Sequence, residues 1–379
     1  DNYLTTGQIY AEVIRRERNL EYNGEDVEVV PDIPNEIIRR IRVCQEKNNA
    51  EITIVELGGT VGEYQVLLFL EAARMMKAQN PQDVFTILVS YLPTPPLLGE
   101  QKSKPTQYAI RTLNSAGIMP DFILCRATLP VNDSIKTTIS TICSLPRERI
   151  ISAPDVASIY DIPVNFEKEH FGEVVLKSMG LSVRKNNMAD WEELQRRVQK
   201  MKDTVTIGIV GKYFNLKSCR DTYISVIESI KHASWEHNVK PDIRWLDAEA
   251  YEEHPEKLSE LLGMDGVIVP GGFGKRGIEG MIAAASFARK HKIPYFGLCL
   301  GMQIAVIACA RDLTGLKKAN SEEFDATSPD QVIHLMQAQK AKRHFLDYEK
   351  TLKYLKKEFD SNEIKIFYYT AYPAEGTRD

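Results

Sequence analysis

Short apolar, β-rich runs alternate with helix-like stretches through the first half of the chain. The strand-like runs are EITIVEL, DVFTILVSYL, DFILCR and RERIISA, and helices are predicted between them at residues 63–77, 105–115 and 133–143. Alternation of strands and helices favours a parallel, doubly wound sheet, because each helix carries the chain back to start a parallel strand. Ligands on such sheets bind at the carboxyl ends of the strands.

A polar stretch at residues 181–204 separates this half from a second apolar region, and is predicted to be a linker that carries one amphipathic helix. The second region continues with strands at TVTIGIVGKY, KPDIRWLDA, MDGVIVPGGFG and IPYFGLC, and with helices at residues 221–237, 278–291 and 301–310. The expected fold class is therefore α/β, with two doubly wound domains.

Composition narrows the choice of function. The 379 residues carry a formal net charge of -4, and this slightly acidic balance argues against a dedicated nucleic-acid-binding protein. No apolar run reaches the roughly 20 residues that a membrane helix needs. The six cysteines form no CxxC pair, which argues against a zinc site and fits free thiols in a reducing cytoplasm.

The strongest local pattern is PYFGLCLGMQ, in which a predicted strand runs directly into a helix at Cys299. Gly297 and Gly301 flank the cysteine, as a nucleophile elbow requires, and the start of the helix would favour the thiolate. The alternative is a buried structural cysteine. A glycine-rich loop, PGGFG, is expected at the end of a neighbouring strand and could supply backbone amides to an oxyanion, although a plain tight turn is the alternative.

Two patterns in the first half point to nucleotide chemistry. Glu56 closes the EITIVEL run before the glycines of GGTVG, where a carboxylate could hold Mg²⁺. Lys102 and Lys104 lie beside Gln107 at a predicted helix start, where two ammonium groups could hold a triphosphate. The alternatives are a solvated glutamate at a turn and an exposed charged loop.

The second region resembles the class I glutamine amidotransferase domain. The motifs TTGQIYAEVIRRER, ELGGTVGEYQ, KSKPTQ, GIMPDFILCR and DVASIYDIPV precede it in the order seen in CTP synthases, and we identify the chain as similar to that family. The resemblance implies a P-loop-type amidoligase (synthetase) domain at 1–180, the linker at 181–204, a flavodoxin-like amidotransferase domain at 205–340 and an unmatched tail at 341–379. It also implies ATP-dependent amination of UTP to CTP with ammonia from glutamine.

The resemblance assigns roles to individual residues. Cys299 is the expected nucleophile, and Glu56 the expected metal ligand. The expected glutamine-binding and oxyanion residues are Gly271, Gly272, Gly274, Leu300, Gly301, Met302, Gln303 and Glu323. The expected UTP- and CTP-binding residues are Glu63, Tyr64, Gln65, Lys102, Ser103, Lys104, Pro105, Thr106 and Gln107. A contact with the adenine of ATP is expected at His170, Phe171 and Gly172.

The implied cofactors and partners are Mg²⁺, ATP, UTP, glutamine, the activator GTP and the feedback inhibitor CTP. A cytoplasmic homotetramer is expected, with no nucleic-acid or membrane partner.

The sequence also departs from the family pattern. It has no GxxxxGK(S/T) motif. The only histidines after Cys299 are His334 and His344, and neither lies in a motif that matches the family. Pro154 stands where the family commonly has a basic residue, and about three extra residues lie near 217–220. We therefore expect both domains to be incomplete and the chain to be inactive alone. A non-catalytic nucleotide-binding paralogue, or a fusion that acts in assembly, is the alternative. The tail is predicted to be a helix and a strand; it faintly resembles the start of a NYN-type nuclease-like domain, but a foreign segment is favoured.

Overall fold

The chain divides into two units, residues 1–195 and 196–379. The structure, a computed structural model, describes residues 3–97, 99–183, 187–212 and 222–334. The predictions about residues 217–220, His344 and the tail at 341–379 fall outside these ranges.

The first unit opens with three helices and then alternates strands with helices. Its elements are α1 (Thr6–Arg18), α2 (Val29–Lys47, kinked at Val30), α3 (Leu67–Gln79), β1 (Ile87–Tyr91), α4 (Lys104–Ser115), β2 (Phe122–Ala127), α5 (Asp133–Cys143), β3 (Ile150–Pro154), α6 (Ile162–Lys168) and α7 (Phe171–Ser178). A further helix, α8 (Ala189–Lys200), includes the division between the two units at residue 195. The strands form a parallel sheet in the order β1-β2-β3. The predicted helices at 105–115 and 133–143 are confirmed to within one residue.

The helical pair α1 and α2 is held by a buried carboxylate as well as by apolar packing. Ile9 and Val13 of α1 pack against Ile33 and Ile37 of α2. The carboxylate of Glu36 is fully buried, and it accepts hydrogen bonds from Arg39 Nε at 2.7 Å and from Arg40 Nε at 2.8 Å; Arg16 Nη1 lies 3.6 Å away. A buried carboxylate is tolerated when it is paired and hydrogen-bonded in this way.

The predicted strand EITIVEL is wrong. Residues 53–58 have no regular secondary structure, and Ile54 is 93% exposed. Its composition indicates only an intrinsic preference for the β conformation, whereas a stable strand also needs a neighbouring strand for its backbone hydrogen bonds. In the described part of the first unit the segment pairs with none of the three strands, so Glu56 does not lie at the end of a sheet strand.

The second unit is a larger parallel sheet with helices between its strands. Its elements are β4 (Thr204–Gly211), α9 (Ile224–Glu236), β5 (Lys240–Asp247), α10 (Ala248–Glu253), β6 (Gly266–Val269), α11 (Ile278–Lys290), β7 (Tyr295–Gly297), α12 (Leu300–Leu313), β8 (Asn320–Ser321) and β9 (Gln331–Ile333). The main sheet has the order β5-β4-β6-β7, in which the first strand of the unit lies between the second and the third. Flavodoxin-like folds share this order and bind ligands at the point where it reverses.

The predicted α/β class with parallel sheets is thus confirmed in both units. Among the described residues, no helix combines the length and the apolar character that crossing a membrane requires.

Candidate functional site

Three strand ends of the second unit bring their side chains and loops to one edge of the sheet. β4 ends at Gly211 and is followed by Lys212; β6 is followed by the glycine loop (residues 270–274, PGGFG); β7 is followed by the elbow (residues 297–301, GLCLG). Because β4, β6 and β7 are neighbouring parallel strands, their carboxyl ends share this edge. The sequence prediction that the glycine loop and Cys299 follow neighbouring strands is confirmed.

Cys299 is exposed, which contradicts the alternative of a buried structural cysteine. Its backbone has φ 52° and ψ -103°, a conformation that is rare for residues other than glycine, and α12 begins at the next residue. The elbow leaves no room for side chains on its glycines. A Cβ on Gly301 would lie 2.0 Å from the carbonyl oxygen of Val269, and one on Gly297 would lie 2.4 Å from the carbonyl carbon of Gly301.

The glycine loop lies against the elbow. A Cβ built on Gly271 would lie 3.7 Å from Cys299 Cβ, and one built on Gly272 would lie 3.2 Å from Leu300 Cδ2. Gly274 has φ +78°, in the left-handed region that favours glycine. Backbone amides of the loop and of Leu300 are therefore available near the sulfur, which is the arrangement that acyl-transfer sites use to stabilise an oxyanion.

Gln303 and Glu323 are the polar side chains predicted to hold a ligand here. The Oε1 atom of Gln303, one turn into α12, is buried and has no hydrogen-bond partner among the described residues. A buried acceptor without a donor costs about 1–3 kcal/mol, so a ligand that donates a hydrogen bond to it would gain affinity. The carboxylate of Glu323 belongs to an exposed residue, and Met302 is partly buried beside the elbow.

The first unit brings one predicted nucleotide-binding group to the end of β1. Ser103 precedes the first residue of α4, Lys104; the side-chain amide of Gln107 donates to Ser103 Oγ at 2.9 Å. Lys102 lies 3.1 Å from Glu100, and Lys104 and Pro105 are exposed. Two ammonium groups at a helix N-terminus form a setting that suits phosphate.

Thr106 is the exception within this group, because its side chain faces the core. The residue is fully buried, and its hydroxyl accepts a hydrogen bond from Ser90 Oγ of β1 at 2.9 Å. Thr106 therefore ties α4 to β1, and its backbone rather than its hydroxyl is left for a ligand.

The second predicted group, Glu63, Tyr64 and Gln65, lies at the start of a short 3₁₀ turn. Gln65 Nε2 donates to Glu63 Oε2 at 2.5 Å, and the ring of Tyr64 is 90% exposed. Glu56 is exposed, and no cluster of three or more metal-ligating side chains occurs in the described ranges. A single carboxylate still fits Mg²⁺, which is commonly bound by one or two carboxylates together with substrate phosphates.

The expected adenine contact, residues 170–172, is only partly available. Phe171 is partly buried, and its ring packs against the rings of Phe122, with 5.9 Å between ring centroids, and of Phe166, with 5.2 Å. His170 and Gly172 are exposed, and His170 Nδ1 lies 3.6 Å from Glu173.

Comparisons with known proteins give matches in both units. Residues 1–181 match the family model described as CTP synthase N-terminus, and residues 218–365 match the class-I glutamine amidotransferase model. A CTP synthase from Carboxydothermus hydrogenoformans is 43% identical over 339 residues. The chain belongs to the CTP synthase family.

The chain spans about 62% of the length of the curated CTP synthases it matches. The alignment with the Carboxydothermus hydrogenoformans enzyme covers 89% of this chain and 62% of that one. A CTP synthase from Pyrococcus abyssi is 43% identical, with 90% and 62% covered. A solved structure described as the glutaminase domain of Trypanosoma brucei CTPS with bound acivicin is 44% identical over 37% of this chain and 53% of that chain, with a TM-score of 0.35.

Sequence reasoning missed Lys212 and Tyr295, two residues that hold this CTP synthase-type elbow and its loop. Lys212 is 1% exposed, and its Nζ donates to the carbonyl oxygens of Phe273 at 3.2 Å and Gly274 at 2.6 Å. The hydroxyl of Tyr295 donates to the carbonyl oxygen of Gly301 at 2.7 Å, and burial raises the pKa of this tyrosine. The available signal for Lys212 was its position directly after β4, at the same sheet edge as Cys299.

Proposed function

We propose that this chain carries out, or contributes to, the ATP-dependent amination of UTP to CTP with ammonia released from glutamine. One observation carries the proposal: Cys299 is exposed at a strand-to-helix elbow beside a glycine loop. The chain around it belongs to the CTP synthase family, which supports the choice of reaction.

The glutaminase step uses the second unit. Cys299 Sγ forms a bond to the side-chain carbonyl carbon of glutamine, the C–N bond breaks, and the proton lost by the thiol passes to the departing nitrogen, which leaves as ammonia. Water then adds to the carbonyl carbon of the thioester and the C–S bond breaks, which gives glutamate and returns a proton to the thiol. Amides of Leu300, Gly271, Gly272 and Gly274 are the proposed donors to the transient oxyanion. Gly301, at the end of the elbow, and Met302, which follows it, are proposed to line the glutamine site beside Cys299.

Recognition of glutamine is proposed for two side chains. The unpaired Oε1 of Gln303 can accept a hydrogen bond from the α-ammonium group of glutamine. The carboxylate of Glu323 can add an ionic contact to the same ammonium.

The synthetase step uses the first unit. Lys102 and Lys104 are proposed to hold the UTP phosphates, with Ser103, Pro105, the Thr106 backbone and Gln107 beside them. Glu63, Tyr64 and Gln65 are proposed to contact UTP or the feedback inhibitor CTP. ATP phosphorylates the uracil O4, and ammonia then displaces the phosphate; His170, Phe171 and Gly172 are the proposed adenine contact. Glu56 would hold Mg²⁺, which neutralises phosphate charge when it is bound.

Further features follow the family resemblance and are also proposals. They are stimulation by GTP, feedback inhibition by CTP, a homotetramer, and a cytoplasmic location without nucleic-acid or membrane partners. None of them is needed for the two tests below.

The glutaminase half is tested by alkylation of the whole chain with a chloroketone analogue of glutamine, followed by peptide mass spectrometry. We expect Cys299 to be labelled first and glutamine to protect it, with Cys299→Ser as the control. Burial raises the pKa of Cys125 to about 12 and that of Cys143 to about 11, so both thiols stay protonated and slow. Equal labelling of all the cysteines would remove the proposal.

The nucleotide half is tested by calorimetric titration with UTP. Each lysine that contacts a phosphate contributes about 1.5–3 kcal/mol, so Lys102→Ala and Lys104→Ala should each weaken binding at least about tenfold. Lys168→Ala is the matched control, because that lysine is exposed at the end of α6. Equal affinities in all three variants would place UTP elsewhere.

A further inference from the structure

We propose that Lys212 is a positioning residue, whose buried ammonium group fixes the glycine loop in the conformation that serves Cys299. This inference rests on the proposed glutaminase function and adds a residue that acts through the loop rather than on the substrate.

The geometry of Lys212 is unusual for a lysine. It follows directly from the last residue of β4, it is 1% exposed, and its ammonium donates to two consecutive carbonyl groups, those of Phe273 and Gly274. A surface lysine would keep its ammonium in water, because burying a charge without partners is costly. Here the two carbonyl oxygens replace part of that hydration.

Holding a carbonyl also holds the neighbouring amide. The peptide unit is planar and trans, so the Phe273 carbonyl and the Gly274 N–H point in opposite directions. A contact from Lys212 on the carbonyl side therefore turns the Gly274 N–H away from the lysine. An oxyanion hole depends on amides that are oriented before the reaction begins.

The loop needs such an anchor because of its composition. Three of its five residues are glycines, which have the most backbone freedom to lose, and the ring of Phe273 is 85% exposed and cannot fix the loop by packing. A Cβ on Gly271 would lie 3.7 Å from Cys299 Cβ, so movement of the loop would change the surroundings of the sulfur directly.

Several charged side chains act on the ammonium group of Lys212. Burial lowers the pKa of Lys212, and the nearby carboxylate of Glu323 opposes this shift. Glu249 and Glu252 act in the same direction as Glu323, whereas Arg276 acts against it.

The test compares two reagents on the whole chain. The chloroketone analogue of glutamine loses chloride to Cys299 Sγ fastest when its carbonyl oxygen is seated on the loop amides. Iodoacetamide loses iodide to the same sulfur without using those amides. In Lys212→Met we expect the rate of chloroketone labelling to fall by about tenfold to a hundredfold, which does not exceed the effect of removing an oxyanion donor itself. The rate of iodoacetamide labelling should stay within about twofold of the parent rate.

Two variants control the interpretation. Lys275→Met removes an exposed lysine next to the loop and should label like the parent chain with both reagents. Lys212→Arg keeps the charge and the donors, and should recover part of the chloroketone rate. If Lys212→Met fails to fold by circular dichroism, Lys212→Gln replaces it, because its shorter amide cannot reach both carbonyls.

Each outcome decides one question. Selective loss of chloroketone labelling supports the positioning role. Equal slowing with both reagents in Lys212→Met, or labelling of Lys212→Met (or of Lys212→Gln in its place) at the parent rate, overturns it. If the parent chain itself shows no protection of Cys299 by glutamine, the proposed function fails instead, so the two failures can be told apart.

Discussion

The close contact between the elbow and β6 gives a quantitative prediction for Gly301→Ala. The new Cβ would lie 2.0 Å from the Val269 carbonyl oxygen and 2.8 Å from its carbonyl carbon. These are backbone atoms, so no change of rotamer relieves the clash, and α12 must move by about 1 Å or more to restore ordinary contacts. The same oxygen accepts the N–H of Leu298 at 2.9 Å, which that movement strains.

Overpacking of a close-packed interior costs about 1–3 kcal/mol, and a clash with rigid backbone belongs at the upper end, about 3 kcal/mol. With an m-value of about 2 kcal/mol/M in urea, the unfolding midpoint of the second unit should fall by about 1.5 M. Urea denaturation followed by far-UV circular dichroism measures this shift. The matched control is Gly263→Ala, since Gly263 has an ordinary φ and nothing within 4 Å of its built Cβ.

The control should change stability by less than about 0.5 kcal/mol. Equal midpoints for Gly301→Ala and Gly263→Ala would refute the packing argument. A lower midpoint combined with unchanged chloroketone labelling of Cys299 would show instead that the elbow tolerates the shift without loss of function.

Three further predictions concern single interactions. Glu36→Gln leaves three arginines without their buried carboxylate and should destabilise the first unit by about 3 kcal/mol in thermal or urea unfolding. Burial favours protonation of Glu36, but hydrogen bonds from Arg39 and Arg40 hold its pKa below the ordinary value of 4.5. The stabilisation by the carboxylate is therefore complete above about pH 4.5 and is lost as the pH falls through the lowered pKa. A difference in stability between parent and variant that does not change with pH would contradict this. Tyr295→Phe removes the bond to the Gly301 carbonyl and should cost about 1 kcal/mol in the second unit, with an unchanged m-value as the check that only this bond was lost. Asn132→Ala removes the N-cap of α5, whose Oδ1 accepts the N–H of Ile135 at 2.9 Å, and should lower the free energy of unfolding in urea by about 1 kcal/mol. Asn132→Ser keeps a capping oxygen and should retain most of that stability. An equal loss of stability in both variants would count against capping.

The sequence predicted the elbow well because its determinants are local. Gly297, Cys299 and Gly301 lie within five residues, and a strand that runs into a helix leaves few conformations for the residue between them. The glycine loop could be placed beside Cys299 because neighbouring parallel strands end at one sheet edge.

Residues whose role depends on distant partners were not predictable in this way. Lys212 looks like an ordinary surface lysine in the sequence, and its burial depends on carbonyl groups about sixty residues further along the chain. Glu36 looks like one more charge on a polar helix, until α1 and α2 bring arginines from both helices around it. The error at residues 51–57 has the same origin, since propensity is local but strand pairing is not.

The backbone conformation at Cys299 lowers the stability of the fold, whereas the proposed reaction needs the thiol at this position. Its positive φ costs a non-glycine residue about 1–3 kcal/mol, and glycine alone would adopt it without strain. A selection of variants for heat resistance alone should therefore enrich glycine at position 299 and discard the thiol. Such a variant would be useful in its own right, as a robust, unreactive version of the chain for soaking intact glutamine into crystals.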